Sequence, residues 1–142
     1  MIKLKAGEET MFTWEGDMLK EALVFASIPV VDLEEAKAFY GEILGLTLAE
    51  TPHETVAIYE GGKGTRLLVY SRPTPTKADH TAAGFMVSDL EAAVDDLAAK
   101  GVEFERYDLP GVTFDERGIA SMGPNRTAWF KDPAGNTLSL NA

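Results

Sequence analysis

The sequence contains no cysteine, and only two of its 142 residues are histidine. Disulfides, thiolate metal sites and thiol nucleophiles are therefore excluded, and the composition fits a reducing compartment. There is no long hydrophobic run. The longest apolar stretch, Ala22 to Val31, has about half of the ~20 residues needed to cross a bilayer. It follows acidic residues, not the basic region of a signal peptide. The expected location is cytoplasmic, with no membrane partner. Positive charge is scarce: 13 Lys and Arg stand against 23 Asp and Glu, a formal net charge of −10. Binding to a phosphate backbone needs clustered Lys and Arg, so no nucleic-acid partner is expected. An acidic chain could favour a cationic ligand. The plainer reading is that carboxylates such as Glu34, Glu35, Glu42, Glu91, Asp95 and Asp96 lie on outer helix faces and aid solubility.

What is present is a repeat. Ser27 to Leu46 reads as a strand, an acidic cap and an amphipathic helix closed by Gly45. Gly84 to Val102 returns nearly the same pattern at an offset of 57, aligning Asp32-Leu33-Glu34 with Asp89-Leu90-Glu91. Two copies are too few for a solenoid and imply one domain of two similar modules. Asp32 and Asp89 are the expected N-caps. Leu33, Ala36, Phe39, Tyr40, Ile43 and Leu44 fall on one helical face.

Further strands are expected at Thr47 to Glu50, Val56 to Glu60 and Arg66 to Ser71, with Gly61-Gly62-Lys63-Gly64 as a hairpin-type turn. Pro73 to Asp79 reads as a linker. Strands are then expected at Thr81 to Val87, Val102 to Arg106, Arg126 to Lys131 and Thr137 to Asn141, with Asp132 to Asn136 as a tight turn. The order is βαβββ twice. The predicted fold class is α+β, two modules (23–72 and 80–142) of eight strands in all with a helix outside each, whose helix-free faces must curl around something. Residues 1–22 are expected to form an N-terminal arm, either an extra strand packed on the domain or a partner, or a poorly ordered leader. Tyr107 to Asn125 is long and irregular; it is either a lid, placing Arg117, Met122, Asn125 and Arg126 near a ligand, or an excursion packed on a partner.

Three stretches, VVDLEEAKAFYGEILGL, MVSDLEAAVDDLAAKGV and WFKDPAGNTLSL, resemble the vicinal oxygen chelate superfamily, over Leu23 to Asn141. That superfamily contains glyoxalase I, the extradiol dioxygenases, the fosfomycin-resistance enzymes and the bleomycin-resistance binding proteins. The resemblance implies paired βαβββ modules forming an eight-stranded, U-shaped half-barrel around a pocket, usually in a homodimer. Metal-using members place four ligands on pocket-facing strand positions, which here are Phe25, Leu68, Ala82 and Ser139. None is a usual ligand, so no metal and no cofactor are expected. His80 has the strand parity of Ala82, while His53 lies at a turn; neither completes a metal site. Asp132 is assigned no catalytic role.

Strand parity then names a pocket wall. Phe25 inward brings Ser27 and Pro29; Leu68 inward brings Arg66 and Tyr70; Thr137, Ser139 and Asn141 line the last strand, with Trp129 beside it and His80 at the mouth. The alternative is that Phe25, Leu68 and Trp129 fill the interior as core. The leading functional reading is a metal-free small-molecule-binding protein of the glyoxalase/bleomycin-resistance type, contacting its ligand through Phe25, Ser27, Arg66, Leu68, Tyr70, His80, Ala82, Trp129 and Ser139. The alternatives are a lyase or dioxygenase-like enzyme of the same superfamily, a metal-free enzyme using His80, Arg66 or Tyr70, and a structural dimer without a ligand.

Overall fold

The computed structural model describes residues 18–142. The expected arm falls mostly outside the described residues; Met18 to Glu21 form a turn leading to the first strand. That strand, β1, is Phe25–Val30. Asp32 then caps helix α1, Leu33–Lys37, its carboxylate accepting the Glu35 amide at 3.1 Å. The helix continues as a π-helical segment, Ala38–Ile43, where the expected pattern was α-helical throughout. The Leu44 amide reaches back to the Phe39 carbonyl at 2.9 Å, one residue further than in an α-helix. The wider turn accommodates two consecutive buried aromatic residues, Phe39 and Tyr40. Gly45 ends the segment with φ +76°, a conformation costly for a residue with a side chain.

Strands β2 (Thr47–His53), β3 (Val56–Glu60) and β4 (Arg66–Ser71) complete the first module. The sheet order is β1-β4-β3-β2, with β1 parallel to β4 and the other neighbours antiparallel. The second module repeats the plan. β5 is Thr81–Met86, and Asp89 caps α2, Leu90–Ala99, by accepting the Ala92 amide at 3.0 Å. β6 (Phe104–Glu105), β9 (Asn125–Lys131) and β10 (Thr137–Asn141) follow, with β5 parallel to β10. The stretch expected to be irregular holds a short hairpin, β7 (Thr113–Phe114) and β8 (Ala120–Met122), and β8 extends the sheet beyond β9. The eight expected strands thus become ten among the described residues. None of the described helices is long and apolar enough to cross a membrane.

One hydrophobic cluster spans both modules. The inward face of β1 gives Ile28 and Val30, β4 gives Leu67 and Val69, α2 gives Leu90, Val94 and Leu97, and β9 and β10 give Ala128, Phe130, Leu138 and Leu140. Aromatic rings cross between the halves: Phe39 packs on Phe130 at 6.3 Å and edge-on to Tyr40 at 5.2 Å. The polar link is deeper. The Tyr40 hydroxyl donates to Asp132 at 2.7 Å, and the Asn136 side-chain amide donates to the Pro29 carbonyl at 2.8 Å and to Asp132 at 2.9 Å. Asp132 also accepts the amides of Ala134 and Asn136. The turn thus does more than reverse the chain: its aspartate satisfies the only polar atom of a buried tyrosine side chain in the other module.

Burial, then the adjacent Asp132 charge, then their hydrogen bond push the Tyr40 hydroxyl far above its ordinary value. Tyr40→Phe is expected to cost about 1.5–3 kcal/mol, the range for a bond to a charged partner, in urea unfolding. A loss below about 0.5 kcal/mol would show that the bond contributes nothing net. The pH dependence has a definite sign. An unfolded tyrosine releases its proton near pH 10, whereas folded Tyr40 holds it to higher pH. The native state then binds more protons than the unfolded state, so stability falls as pH rises above about 10, and Tyr40→Phe flattens that fall.

Candidate ligand-binding face

Each sheet has one face under its helix and one face free of it. On the first sheet, the alternation of β1, β3 and β4 leaves Phe25, Ser27, Pro29, Val56, Ile58, Glu60, Arg66, Leu68 and Tyr70 on the helix-free side. Register brings them side by side: Phe25 opposite Arg66, Ser27 opposite Leu68, and Leu68 opposite Ile58. A groove of about 290 Å³ opens here, lined by Phe25, Ile58, Arg66 and Leu68 with Leu23, Val24 and Gly64. Phe25 is 55% exposed, so the ring is not a filled-core residue. The cost of about 3–5 kcal/mol for truncating a fully buried ring does not apply to it. Arg66 is the one charged residue in the lining among the described residues. Its guanidinium donates to Glu50 at 2.6 Å and to Glu60 at 3.4 Å. Its bond to Glu50 chiefly raises its pKa, against an opposing effect of burial, with the two carboxylate charges adding to the rise.

The second sheet has a different character. Its helix-free side carries Thr81, Gly84 and Met86 from β5, Thr127, Trp129 and Lys131 from β9, and Thr137, Ser139 and Asn141 from β10. Trp129 donates from its indole nitrogen to Thr81 at 3.0 Å. The rings of Tyr107 and Phe114, both from the long connection, pack on it at 5.4 and 6.2 Å. Burial chiefly, with the Glu105 charge, raises the Tyr107 pKa. Ser139 is 4% exposed, and its hydroxyl accepts the Asn141 side-chain amide at 3.0 Å. Asn141 in turn accepts the Thr127 hydroxyl at 3.1 Å.

The residues named from sequence fall into separate groups. Phe25, Arg66 and Leu68 meet in one groove, with Ser27 and Tyr70 as neighbours on the same face. Trp129 and Ser139 sit on the second sheet as a cross-strand pair. Ala82 departs from its expected inward placing. The pairing of β5 with β10 shifts between Thr81 and Ala83, so Gly84 stands opposite Ser139 while Ala82 packs against the core. An irregularity of this kind resets the inward and outward alternation. His80 is exposed just before β5. His53 ends β2, its ring nitrogen 2.9 Å from the Thr55 hydroxyl. Arg117 and Arg126 turn to the helix side instead of a ligand: Arg117 pairs with Asp95 at 2.9 Å and Arg126 pairs with Glu91. Hydrogen bonds from those arginines hold the Glu91 and Asp95 carboxyls below their usual range. Sequence reasoning missed Ile58, Glu50, Glu60, Tyr107 and Phe114. Cross-strand pairing with Leu68 and Arg66 was a usable signal for Ile58 and Glu60; nothing local marked the two aromatic residues.

The donor set does not fit a divalent cation. Phe25, Leu68 and Ala82 offer no oxygen or nitrogen side-chain donor, and the Ser139 hydroxyl is neutral and already bonded. Among the described residues, no three His, Asp or Glu side chains converge.

A second cavity, about 590 Å³, lies where the β1 and β5 edges approach; Arg66, Ala26, Gly84 and Met86 are among its lining. Gly84 is required there sterically. A Cβ on it would lie 2.8 Å from the Ser139 hydroxyl and 2.9 Å from the Asn141 amide. Gly84→Ala is expected to break the Ser139–Asn141 pair and cost about 1–3 kcal/mol in urea unfolding. No measurable loss would mean that the pair can move aside freely.

The comparisons with known proteins agree with this geometry. TnmS3, an antibiotic binding protein from Streptomyces sp. CB03234, superposes with a TM-score of 0.61 at 27% identity, over 85% of this chain and 94% of that one. A glyoxalase/bleomycin resistance protein from the same organism gives 0.59 at 27% identity, over 85% and 100%. Lactoylglutathione lyase from Agrobacterium tumefaciens gives 0.60 at 18% identity, over 85% and 92%, a likeness of fold alone. A search of curated proteins found no match. The family model of the Glyoxalase/Bleomycin resistance protein/Dioxygenase superfamily matches residues 22–140. With the fold, the paired βαβββ modules and this match in agreement, the chain belongs to the Glyoxalase/Bleomycin resistance protein/Dioxygenase superfamily.

Proposed function

We propose that the protein is a metal-free small-molecule-binding member of its superfamily, with the ligand seated on the helix-free face of the first sheet. The observation that carries this reading is the groove lined by Phe25, Ile58, Leu68 and Arg66, at positions where the resemblance would place metal donors for two of the four. An apolar floor with one placed polar group suits a binding site and supplies no nucleophile or metal. TnmS3, named for antibiotic binding and 27% identical, supports a sequestering role. We place the ligand against Phe25, Leu68 and Ser27, with Tyr70 at the far end.

A homodimer is part of the same proposal. Val24 and Met86 are each 83% exposed on the two edge strands or beside them, and Leu23 is also largely exposed. A second copy would remove that apolar surface from water.

Elemental analysis after exposure to Zn, Ni, Mn, Fe and Co, followed by desalting, is expected to find far less than one metal per chain. A thermal-shift screen of apolar natural products is expected to find a ligand raising the Tm by about 5–10 °C at one hundred times its Kd. Leu68→Glu should abolish that shift. Stoichiometric retention of a metal would overturn the metal-free reading in favour of the superfamily's lyases and dioxygenases. Light scattering at micromolar concentration is expected to give twice the chain mass; the mass of a single chain would reject the dimer.

A further inference from the structure

The groove's charged lining residue, Arg66, is flanked by two carboxylates that stand outside the lining. Arg66 lies between Glu50 on β2 and Glu60 on β3, at 2.6 and 3.4 Å. Both carboxylates share its face, since Glu60 is paired in register with Arg66 and Glu50 with Ile58. Among the described residues, one guanidinium facing two carboxylates leaves a residual charge of about −1 beside an apolar wall. The arginine's charge is therefore more than offset, and its bonds tie β2, β3 and β4 together on this face.

Three ligand charges then meet different conditions. An anion would approach a guanidinium whose charge is already outweighed by Glu50 and Glu60, and it would meet their repulsion beside Phe25 and Leu68. A neutral apolar molecule enters without disturbing the trio. A cation also enters without displacement, and it gains attraction from the residual charge. The chain's net charge of −10 acts in the same direction at longer range.

We propose that the groove selects apolar molecules carrying a protonated amine or fixed ammonium group, with Glu50 and Glu60, not Arg66, setting the charge preference. This rests on the groove being the binding site. The side chains of Glu50 and Glu60 are 53% and 40% exposed, so the effect is screened by water and salt. For a separation of about 6 Å in a partly aqueous setting, one net charge would give roughly a three- to tenfold preference.

The test uses three ligands with one apolar body: decylammonium, decanol and decanoate, each displacing the fluorescent probe N-phenyl-1-naphthylamine at pH 7 and low salt. Decylammonium is expected to bind about three- to tenfold tighter than decanol, and decanoate more weakly than either. Raising the salt to about 0.3 M should compress the spread. Glu50→Gln makes the trio neutral and should bring the three ligands within about twofold; Glu60→Gln should do the same with Arg66 still held by Glu50. Glu42→Gln, an exposed position on the outer helix, removes one negative charge from the chain just as the other two do and should leave the spread intact. Circular dichroism melts confirm that each variant is folded. Decanoate binding as tightly as decylammonium overturns the inference while leaving the groove as the site. So does a collapse in Glu42→Gln equal to that in Glu50→Gln, because the preference would then belong to the whole chain. Failure of the probe and of decanol to bind at all removes the groove as a site, and the inference with it.

Discussion

The two halves of this molecule are held in register by a buried carboxylate. Asp132 collects four hydrogen bonds, from Tyr40, Asn136 twice and Ala134. Such a group is stable in the interior only when every lone pair has a partner, and here two modules supply the partners. Asn136 then extends the link to the carbonyl of Pro29. The reason lies in topology. Among the described residues β1 is an edge strand, paired only with β4, so its outward backbone groups have no described neighbour in their own sheet. Proline suits that edge, having no amide hydrogen to leave unpaired, and its carbonyl is satisfied from the other module. The position of β1 relative to β10 is thereby fixed, and with it the junction where Arg66 and Gly84 line one cavity.

The modules are alike in their helix-covered halves and unlike on the other side. Both helices begin at an aspartate whose side chain takes an amide three residues on. Both sheets set their first and last strands parallel. The helix-free faces diverge because only the second module carries a long connection between its second and third strands. That connection brings Tyr107 and Phe114 against Trp129 and leaves hydroxyl groups beneath. The first module has only a tight turn at the same place, so its apolar face stays open. This asymmetry leaves an open apolar groove on the first sheet and packed aromatic rings on the second.

Much of the architecture was legible because it repeats and because it is periodic. The paired D-L-E caps, the alternation in Phe25 to Val30 and Arg66 to Ser71, and the glycine stops each reflect a local rule that tertiary contacts did not override. The limits of β4 and β10 matched for the same reason. Parity failed at Ala82, where the strand pairing shifts by a residue, and no alternation pattern announces such a shift. The π-helical turn escaped because Phe39-Tyr40 satisfies an α-helical stripe equally well; only the packing against Phe130 and Asp132 selects the wider winding. Glu91 and Asp95 read as solvated helix carboxylates, and their arginine partners lie 35 and 22 residues away, beyond any local signal. The Asp132–Tyr40 bond, across 92 residues, is the extreme case.

The same separation explains why the fold speaks so clearly and the chemistry so little. The residues that specify the architecture are the caps, the core stripe and the Asp132 turn, and they sit at helix ends, under the helices or between the modules. The positions that would carry a metal centre on the first module, Phe25 and Leu68, lie on the opposite side of the sheet and touch none of them through a hydrogen bond. Side chains there can exchange a donor for a ring or an alkyl group without disturbing a cap or the buried carboxylate. The scaffold therefore tolerates a change from metal chemistry to apolar contact as a change of surface. The helix-free face of the first sheet accordingly presents an apolar floor and an arginine paired with two carboxylates, and the proposed function rests on that surface.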